Sequence, residues 1–359
     1  MRAIIAGGGT GGHLFPGIAV AREIERRRPG SEILFVGAEQ GIETRLVPQE
    51  GFKLRTLPSG GMKGVSWRKR IRNLAATLKG LLQARSILKE FHPSVVIGVG
   101  GYASVPMVGA AILSGTPRLI MEQNAIPGLA NRMLGRWVDF AAVTDPRTAP
   151  FFGGRAIVTG NPVRPQFKTI APRTHQPPYT ILIFGGSQGA RAINDGVRNC
   201  LPLLADWKDR LRFVHQTGEQ QLEETRAAYA KAGFDADVRA FFSNFHEQYG
   251  AADLIISRAG ATTVAEIKAS GRGSVLVPFP FAADDHQTKN ASAMVEENAA
   301  VMIANADLSG ERLAGTIRSL LSDIGRLTEM ETNARRLAVL DAESRIVDLA
   351  EQAIARRHV

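Results

Sequence analysis

Gly7-Gly8-Gly9-Thr10-Gly11-Gly12-His13 follows a short apolar run, Ala3 to Ala6, and Gly185-Gly186-Ser187-Gln188-Gly189-Ala190 follows another, Thr180 to Phe184. Each glycine run leads into a helical pattern. A strand, a glycine turn and a helix start bring free backbone N–H groups to one place, where an anion is held. Two such turns, each opening its own half of the chain, predict two α/β domains and two anion cradles. A dehydrogenase needs one such turn for its cofactor. An enzyme that grips a phosphorylated donor and a phosphorylated acceptor needs two.

Strand and helix signals alternate around both turns. In the first half, further strands are predicted at Glu32 to Val36, Ser94 to Val99, Arg118 to Met121, Phe140 to Val143 and Ala156 to Thr159. The helix after the first turn is expected to have Pro16 at its start, an apolar face of Ile18, Ala21 and Ile24, and Arg26-Arg27-Arg28 at its negative end. The stretch from Arg164 to Pro178 holds four prolines and reads as a linker. Strands then resume at Leu211 to His215, Val238 to Phe242, Asp253 to Ser257 and Ser274 to Val277. This alternation predicts mostly parallel sheets covered by helices. A last helix, Glu331 to Arg357, is long enough to return to the first domain. The expected domains are 1–163, 164–335 and a terminal helix within 336–359.

The chain has 359 residues, more than one core usually supports, and 44 % of them are apolar. The single cysteine, Cys200, excludes an internal disulfide, and the seven histidines are scattered without ligand spacing, so neither a metal nor a cofactor is expected. No signal peptide is visible, which predicts a cytosolic protein. The segment 91–117 lacks Lys, Arg, Asp and Glu, but Pro93, Gly98, Gly100-Gly101 and Pro106 break it into a strand, a glycine loop and a helix rather than a membrane span.

The net charge of +10 is unevenly placed: the stretch from Gly51 to Lys89 carries ten basic residues and no acidic one. Lys53, Arg55, Lys63, Arg68, Lys69, Arg70, Arg72, Lys79, Arg85 and Lys89 alternate with Trp67, Ile71, Leu74, Leu78 and Leu81 at helical spacing, a basic amphipathic helix. A surface helix packed on the first core explains the stripe but not the charge. No aromatic platform or binding motif for nucleic acid accompanies it. An anionic membrane surface, which attracts each Lys or Arg by about 1 kcal/mol, is the preferred partner.

Gly7, Gly9 and Gly12 satisfy the dinucleotide fingerprint G-x-G-x-x-G, yet a nicotinamide reading also expects an acidic residue about 20 positions on, and Glu39 comes late. A third glycine loop, Gly98-Val99-Gly100-Gly101-Tyr102-Ala103-Ser104, ends another strand of the same half. Carboxyl ends of strands in an open sheet share one crevice, so Gly9, Gly100, Gly101 and Tyr102 are expected to meet a diphosphate. His13 stands at the lip, either as a general base for an attacking hydroxyl or as a loop histidine that caps the turn.

The densest group of polar residues is Ser257-Arg258-Ala259-Gly260-Ala261-Thr262-Thr263-Val264-Ala265-Glu266. Arg258 and the N–H groups near Thr262 and Thr263 suit a phosphate. Glu266, one turn on, suits a ribose diol, its plainer reading being a surface acid. The run Asp284 to Asn290 is placed either to read sugar hydroxyls or to be a solvated loop.

These motifs together resemble the MurG family, glycosyltransferases of peptidoglycan synthesis with the two-domain GT-B fold, two Rossmann-like domains facing a cleft. The resemblance rests on the opening GGGTGGH, GVGGYAS at 98–104, EQNAIPG at 122–128, GNPVR at 160–164, GGSQGA at 185–190, SRAGATTVAE at 257–266 and DHQTKNA at 285–291. It implies transfer of N-acetylglucosamine from its UDP donor to the 4-hydroxyl of the N-acetylmuramoyl unit of lipid I, with inversion and no required metal. It further implies that the C-terminal domain holds the donor, that the N-terminal domain holds the lipid diphosphate, and that the protein sits peripherally on the cytoplasmic face of the membrane. Thr10, Gly11, Gly12, Asn124, Arg164, Ser187, the stretch Ala261, Thr262, Thr263, Val264, Ala265, Glu266, and Gln287 match donor-contacting positions. Phe242 falls where relatives read uracil through the backbone, and His286 replaces a second Gln. Glu122 or Asn124 stands beside His13 as an alternative assistant. A UDP-sugar epimerase, a nicotinamide-dependent oxidoreductase and a membrane-bound scaffold are the competing readings. The basic stretch argues against the first, and a titration with NAD and UDP separates the second.

Overall fold

The apolar runs become the central strands of two parallel sheets. The structure is a computed structural model that describes residues 1–58, 67–101 and 103–357, with the backbone alone for 67–78 and 283. It divides into two units, Met1–Arg164 with Val339–Val359, and Pro165–Ala338. The first contains β1 (Arg2–Gly7), β2 (Glu32–Ala38), β3 (Lys53–Leu57), β4 (Val95–Gly100), β5 (Arg118–Glu122), β6 (Phe140–Val143) and β7 (Ala156–Val158), in the sheet order β3-β2-β1-β4-β5-β6-β7. The second contains β8 (Tyr179–Phe184), β9 (Leu211–Gln216), β10 (Asp235–Arg239), β11 (Leu254–Ser257), β12 (Ser274–Leu276) and β13 (Val301–Met302), in the order β10-β9-β8-β11-β12-β13. Every pairing is parallel. The winding direction reverses between β1 and β4 and again between β8 and β11. A doubly wound sheet binds its ligand at that reversal, beyond the carboxyl ends of the strands. The four loops rich in motifs follow those four strands.

Strands buried on both faces need apolar residues at consecutive positions, which is why β1, β4, β8 and β11 read as continuous hydrophobic runs. Alternate residues serve opposite layers. Ile5 and Ile97 pack with Leu14, Ile346 and Ala350, whereas Ile4, Val96 and Ile120 pack with Ala84, Leu88, Met107 and Val108. The second unit has its own core around Ile181, Ile183, Phe213, Leu254, Ile256 and Leu313.

Several expectations need correction. The first helix starts at Gly11, not at Pro16, which lies inside it. The basic stretch is not one helix, because Lys53 and Arg55 belong to β3 and the helix covers Trp67–Phe91. Lys63 lies outside the described residues, as do the side chains of Arg68, Lys69, Arg70 and Arg72. Arg55 pairs with Glu90, one residue past the run. The strand expected at Val238 to Phe242 is Asp235–Arg239, and Phe242 turns its N–H to Gln216 Oε1 at 2.9 Å.

The last helix is two, Ile324–Arg336 and Ala342–Ala355. They are separated where Val339 packs so closely on Gly160 that a Cβ there would lie 2.5 Å from it. The second of them is held to the first helix by Ile346 and Ala350 and by ion pairs of Arg27 with Asp348 and Arg28 with Glu351.

The proline-rich stretch is anchored rather than loose. Arg272 donates to Ala171 O and Arg335 to Ile170 O. His175 bridges Asp253 at 2.9 Å and Glu331 at 3.0 Å. Burial alone would lower the His175 pKa, but these two carboxylates overcome it and raise it to about 9.

Candidate active site

In the first unit the two glycine loops interlock. Gly8 N donates to Gly100 O at 3.2 Å. Gly7 needs its positive φ of 137° and its missing side chain, because a Cβ would stand 2.0 Å from Gly100 O. Gly101, at φ 81°, would likewise strike Gly8 O at 2.5 Å. His13, in the first turn of the helix Gly11–Arg27, covers Gly100 with its ring, and its Nδ1 lies 3.3 Å from Gly8 O and 3.5 Å from Thr10 Oγ1. A carbonyl only accepts, so the contact with Gly8 is made by an N–H on Nδ1. The structure thus brings His13, Gly100 and Gly101 together. Tyr102 lies outside the described residues.

The Gly9 N–H donates to Glu43 Oε2 at 2.8 Å, which engages that amide within the turn. Glu122 is also already used. Buried at 3 % exposure, it accepts from Asn124 N, Asn124 Nδ2, Gly128 N and Asn131 Nδ2 at 2.9–3.3 Å, and so organises the loop 122–128. The Arg164 guanidinium stacks over Phe15 at 5.4 Å.

In the second unit a cleft of about 590 Å³ is lined by Gly185, Gly189, Arg191, Arg258, Phe279, Phe281, Gln287 and Asn305. Ser187 stands exposed on the glycine turn. Arg258 Nη1 donates to Val277 O, Pro278 O and Asn305 Oδ1 at 2.8–3.1 Å, so part of the guanidinium organises the strand end while the residue lines the cleft. Burial lowers its pKa to about 10, which leaves it a cation at neutral pH. Gln287 Oε1 accepts from Ala259 N and Phe279 N, which directs its NH₂ group elsewhere. The helix Ala261–Ser270 begins at Ala261 with Thr262 and Thr263 half-buried in its first turn, followed by Val264, Ala265 and Glu266. Glu266 is 4 % exposed, not a surface acid.

Sequence reasoning passed over His215-Gln216-Thr217-Gly218. Gln216 Nε2 donates to Gly186 O at 3.0 Å while its Oε1 accepts from Phe242 N, tying the glycine turn to the uracil position expected at Phe242. Behind it His215 contacts Asn194 Oδ1 and the Tyr229 hydroxyl, and Asn194 donates to Thr217 O. A polar run directly after the apolar pair Phe213-Val214 is the signal that could have marked this brace.

The helix Trp67–Phe91 and the helix Ser104–Ser114 flank an apolar groove of about 390 Å³, lined by Leu81, Leu82, Leu88, Ala110 and Leu113 with Arg85, Lys89 and His92. Leu82 and Leu113 are 71 % and 70 % exposed. Among the described residues no helix is long and apolar enough to cross a membrane.

The relatives of this chain share its fold and point to one family. Residues 3–143 match the glycosyltransferase family 28 N-terminal domain and residues 180–352 the family 28 C-terminal domain. The chain is 50 % identical, over 97 % of its length and 98 % of the relative's, to the UDP-N-acetylglucosamine–N-acetylmuramyl-(pentapeptide) pyrophosphoryl-undecaprenol N-acetylglucosamine transferase of Citrifermentans bemidjiense. The crystal structure of Acinetobacter baumannii MurG superposes with a TM-score of 0.81 at 33 % identity, covering 98 % of this chain and 99 % of that one. A UDP-GlcNAc 2-epimerase from Neisseria meningitidis, at a TM-score of 0.67 and 12 % identity over 98 % of this chain and all of that one, shares the fold alone. With both family 28 domains matched and half its residues identical to such a transferase, this chain belongs to the MurG family of glycosyltransferases.

Proposed function

We propose that the chain transfers N-acetylglucosamine from UDP-N-acetylglucosamine to the 4-hydroxyl of the N-acetylmuramoyl unit of lipid I, giving lipid II with inversion at the anomeric carbon. The observation that carries this reading is the cleft of the second unit, where Gly185, Gly189, Arg258 and Gln287 line one cavity. The glycine turn and the helix start at Ala261 suit a diphosphate, and Glu266, with Ser187, Phe242 and the segment 261–265, suits the uridine and sugar. As the glycosidic bond breaks, charge grows on the departing UDP. Arg258, the loop amides around Ser187 and the N-terminus of Ala261–Ser270 meet it as fixed dipoles and charge.

On the first unit, Thr10, Gly11, Gly12, Asn124 and Arg164 are further donor positions, and Gly100 and Gly101 with Tyr102 receive the lipid diphosphate. His13 takes the hydroxyl proton on Nε2, the ring nitrogen that does not face Gly8 O. The groove of Leu82 and Leu113, edged by Arg85 and Lys89, supports peripheral docking on the cytoplasmic face of an anionic membrane, with each basic residue contributing about 1 kcal/mol. No nucleic-acid partner is proposed.

The test is UDP release from UDP-N-acetylglucosamine with a lipid I analogue. Release that depends on both substrates supports the reading. Conversion of the donor without an acceptor, or tight NAD binding without UDP binding, contradicts it.

A further inference from the structure

The first glycine turn is built around a buried carboxylate, whereas among the described residues the second is braced by the Gln216 carboxamide. Glu43 opens the helix Glu43–Gln49 and is 1 % exposed. Its Oε2 accepts Gly9 N–H and its Oε1 accepts Ala38 N–H, both at 2.8 Å. A buried carboxylate is costly unless its oxygens are met by donors, and here one donor comes from the glycine turn and one from the end of β2.

The backbone has been cleared for it. A Cβ on Gly8, Gly37 or Gly41 would lie 2.5, 2.4 or 2.1 Å from the Glu43 side chain. Gly41 does not adopt a positive φ, so its missing side chain serves space rather than backbone conformation.

The clamp lies one peptide from the histidine's partner. Gly8 precedes the clamped Gly9, and Gly8 O faces His13 Nδ1 at 3.3 Å. If the turn shifts, that carbonyl moves, and the ring loses the contact that keeps the proton on Nδ1.

We propose that Glu43 is a positioning residue: by holding Gly9 and Ala38 it fixes the turn whose Gly8 carbonyl sets the tautomer of His13, and it keeps the Gly9 amide away from substrate phosphates. The effect on turnover rests on His13 acting as the base, whereas the effect on the tautomer does not.

The experiment is ¹⁵N NMR of the full-length protein labelled at histidine, with His13 assigned through His13→Ala, alongside steady-state kinetics. Wild type is expected to show His13 protonated at Nδ1. Glu43→Ala, and Gly41→Ala, which drives a methyl into the carboxyl, are expected to shift His13 toward the Nε2–H form. Turnover should fall about 10-fold or more while the donor KM moves less than about 2-fold, as a misplaced catalytic group acts on the chemical step. The double variant should be no worse than Glu43→Ala, because Gly41→Ala acts only through the carboxyl. Should Glu43→Ala not fold, Glu43→Gln, which keeps the bulk and presents NH₂ to one of the two donors, carries the same readouts. A folded variant with an unmoved His13 tautomer overturns the proposal, since a merely structural role lowers stability and leaves the tautomer alone. A moved tautomer with unchanged turnover upholds the positioning and removes His13 as the base.

Discussion

The two glycine turns occupy the same place in their sheets, at the ends of β1 and β8, yet they are braced with opposite chemistry. In the first unit an anionic carboxylate, Glu43, takes an amide N–H of the turn. In the second a neutral carboxamide, Gln216, takes a carbonyl of the turn, Gly186 O. Behind Gln216 the support is neutral as well, since burial, with Arg198 nearby, holds the His215 pKa at about 3. An anionic brace consumes a donor and sets negative charge behind the turn. A neutral brace consumes an acceptor and leaves the donors to the cleft. The difference supports the proposed division, with the charged leaving group at the second turn and proton handling at the first.

The largest effect expected from breaking this comparison is on the first turn. His13→Ala should lower turnover about 10²- to 10⁴-fold with donor binding spared, which steady-state kinetics and calorimetry together report, and near-normal turnover would dismiss it as the base. Glu266→Ala, on the second unit, should weaken UDP-sugar binding roughly 10- to 150-fold by calorimetry, the effect of a lost charged hydrogen bond. An unchanged affinity would remove the carboxylate from the ribose.

The frame that carries the second cleft should respond to pH through His175. Its folded pKa of about 9 lies above the ordinary 6.5, so the stabilisation is complete below pH 6.5 and is lost as pH rises through 9. Urea unfolding should show a loss of about 2–3 kcal/mol across that interval, absent in His175→Asn. An equal slope in the variant would clear the bridge of this role. The smallest effect is expected from Gln216→Leu, which strands Gly186 O and Phe242 N. The donor KM should rise about 5- to 10-fold with turnover nearly unchanged, whereas a loss confined to turnover would contradict a bracing role.

Much of the fold was legible because strands buried on both faces announce themselves as unbroken apolar runs, and because three of the four motif loops carry glycine where the backbone needs it. Two of the four edge strands escaped that logic. Lys53–Leu57 reads K-L-R-T-L, as polar edges do, and Val301–Met302 is two residues long. Glu43 escaped for another reason. An acidic residue was sought near the end of β2, and Glu39 was the candidate, but the carboxylate that matters lies on the next helix, where only the fold brings Gly8, Gly37 and Gly41 around it. The same holds for Gln216, whose two bonds go to residues 30 and 26 positions away. Glu122 shows the converse: its motif was plain in the sequence, but its four donors, which make it a scaffold, were not.

A crystal soaked with UDP decides the matter. The diphosphate is expected against Gly185 to Ala190 beside Arg258, with the ribose on the Glu266 carboxylate. A diphosphate seated instead on Gly7 to Gly9, with Glu43 displaced from the Gly9 amide, would contradict that expectation.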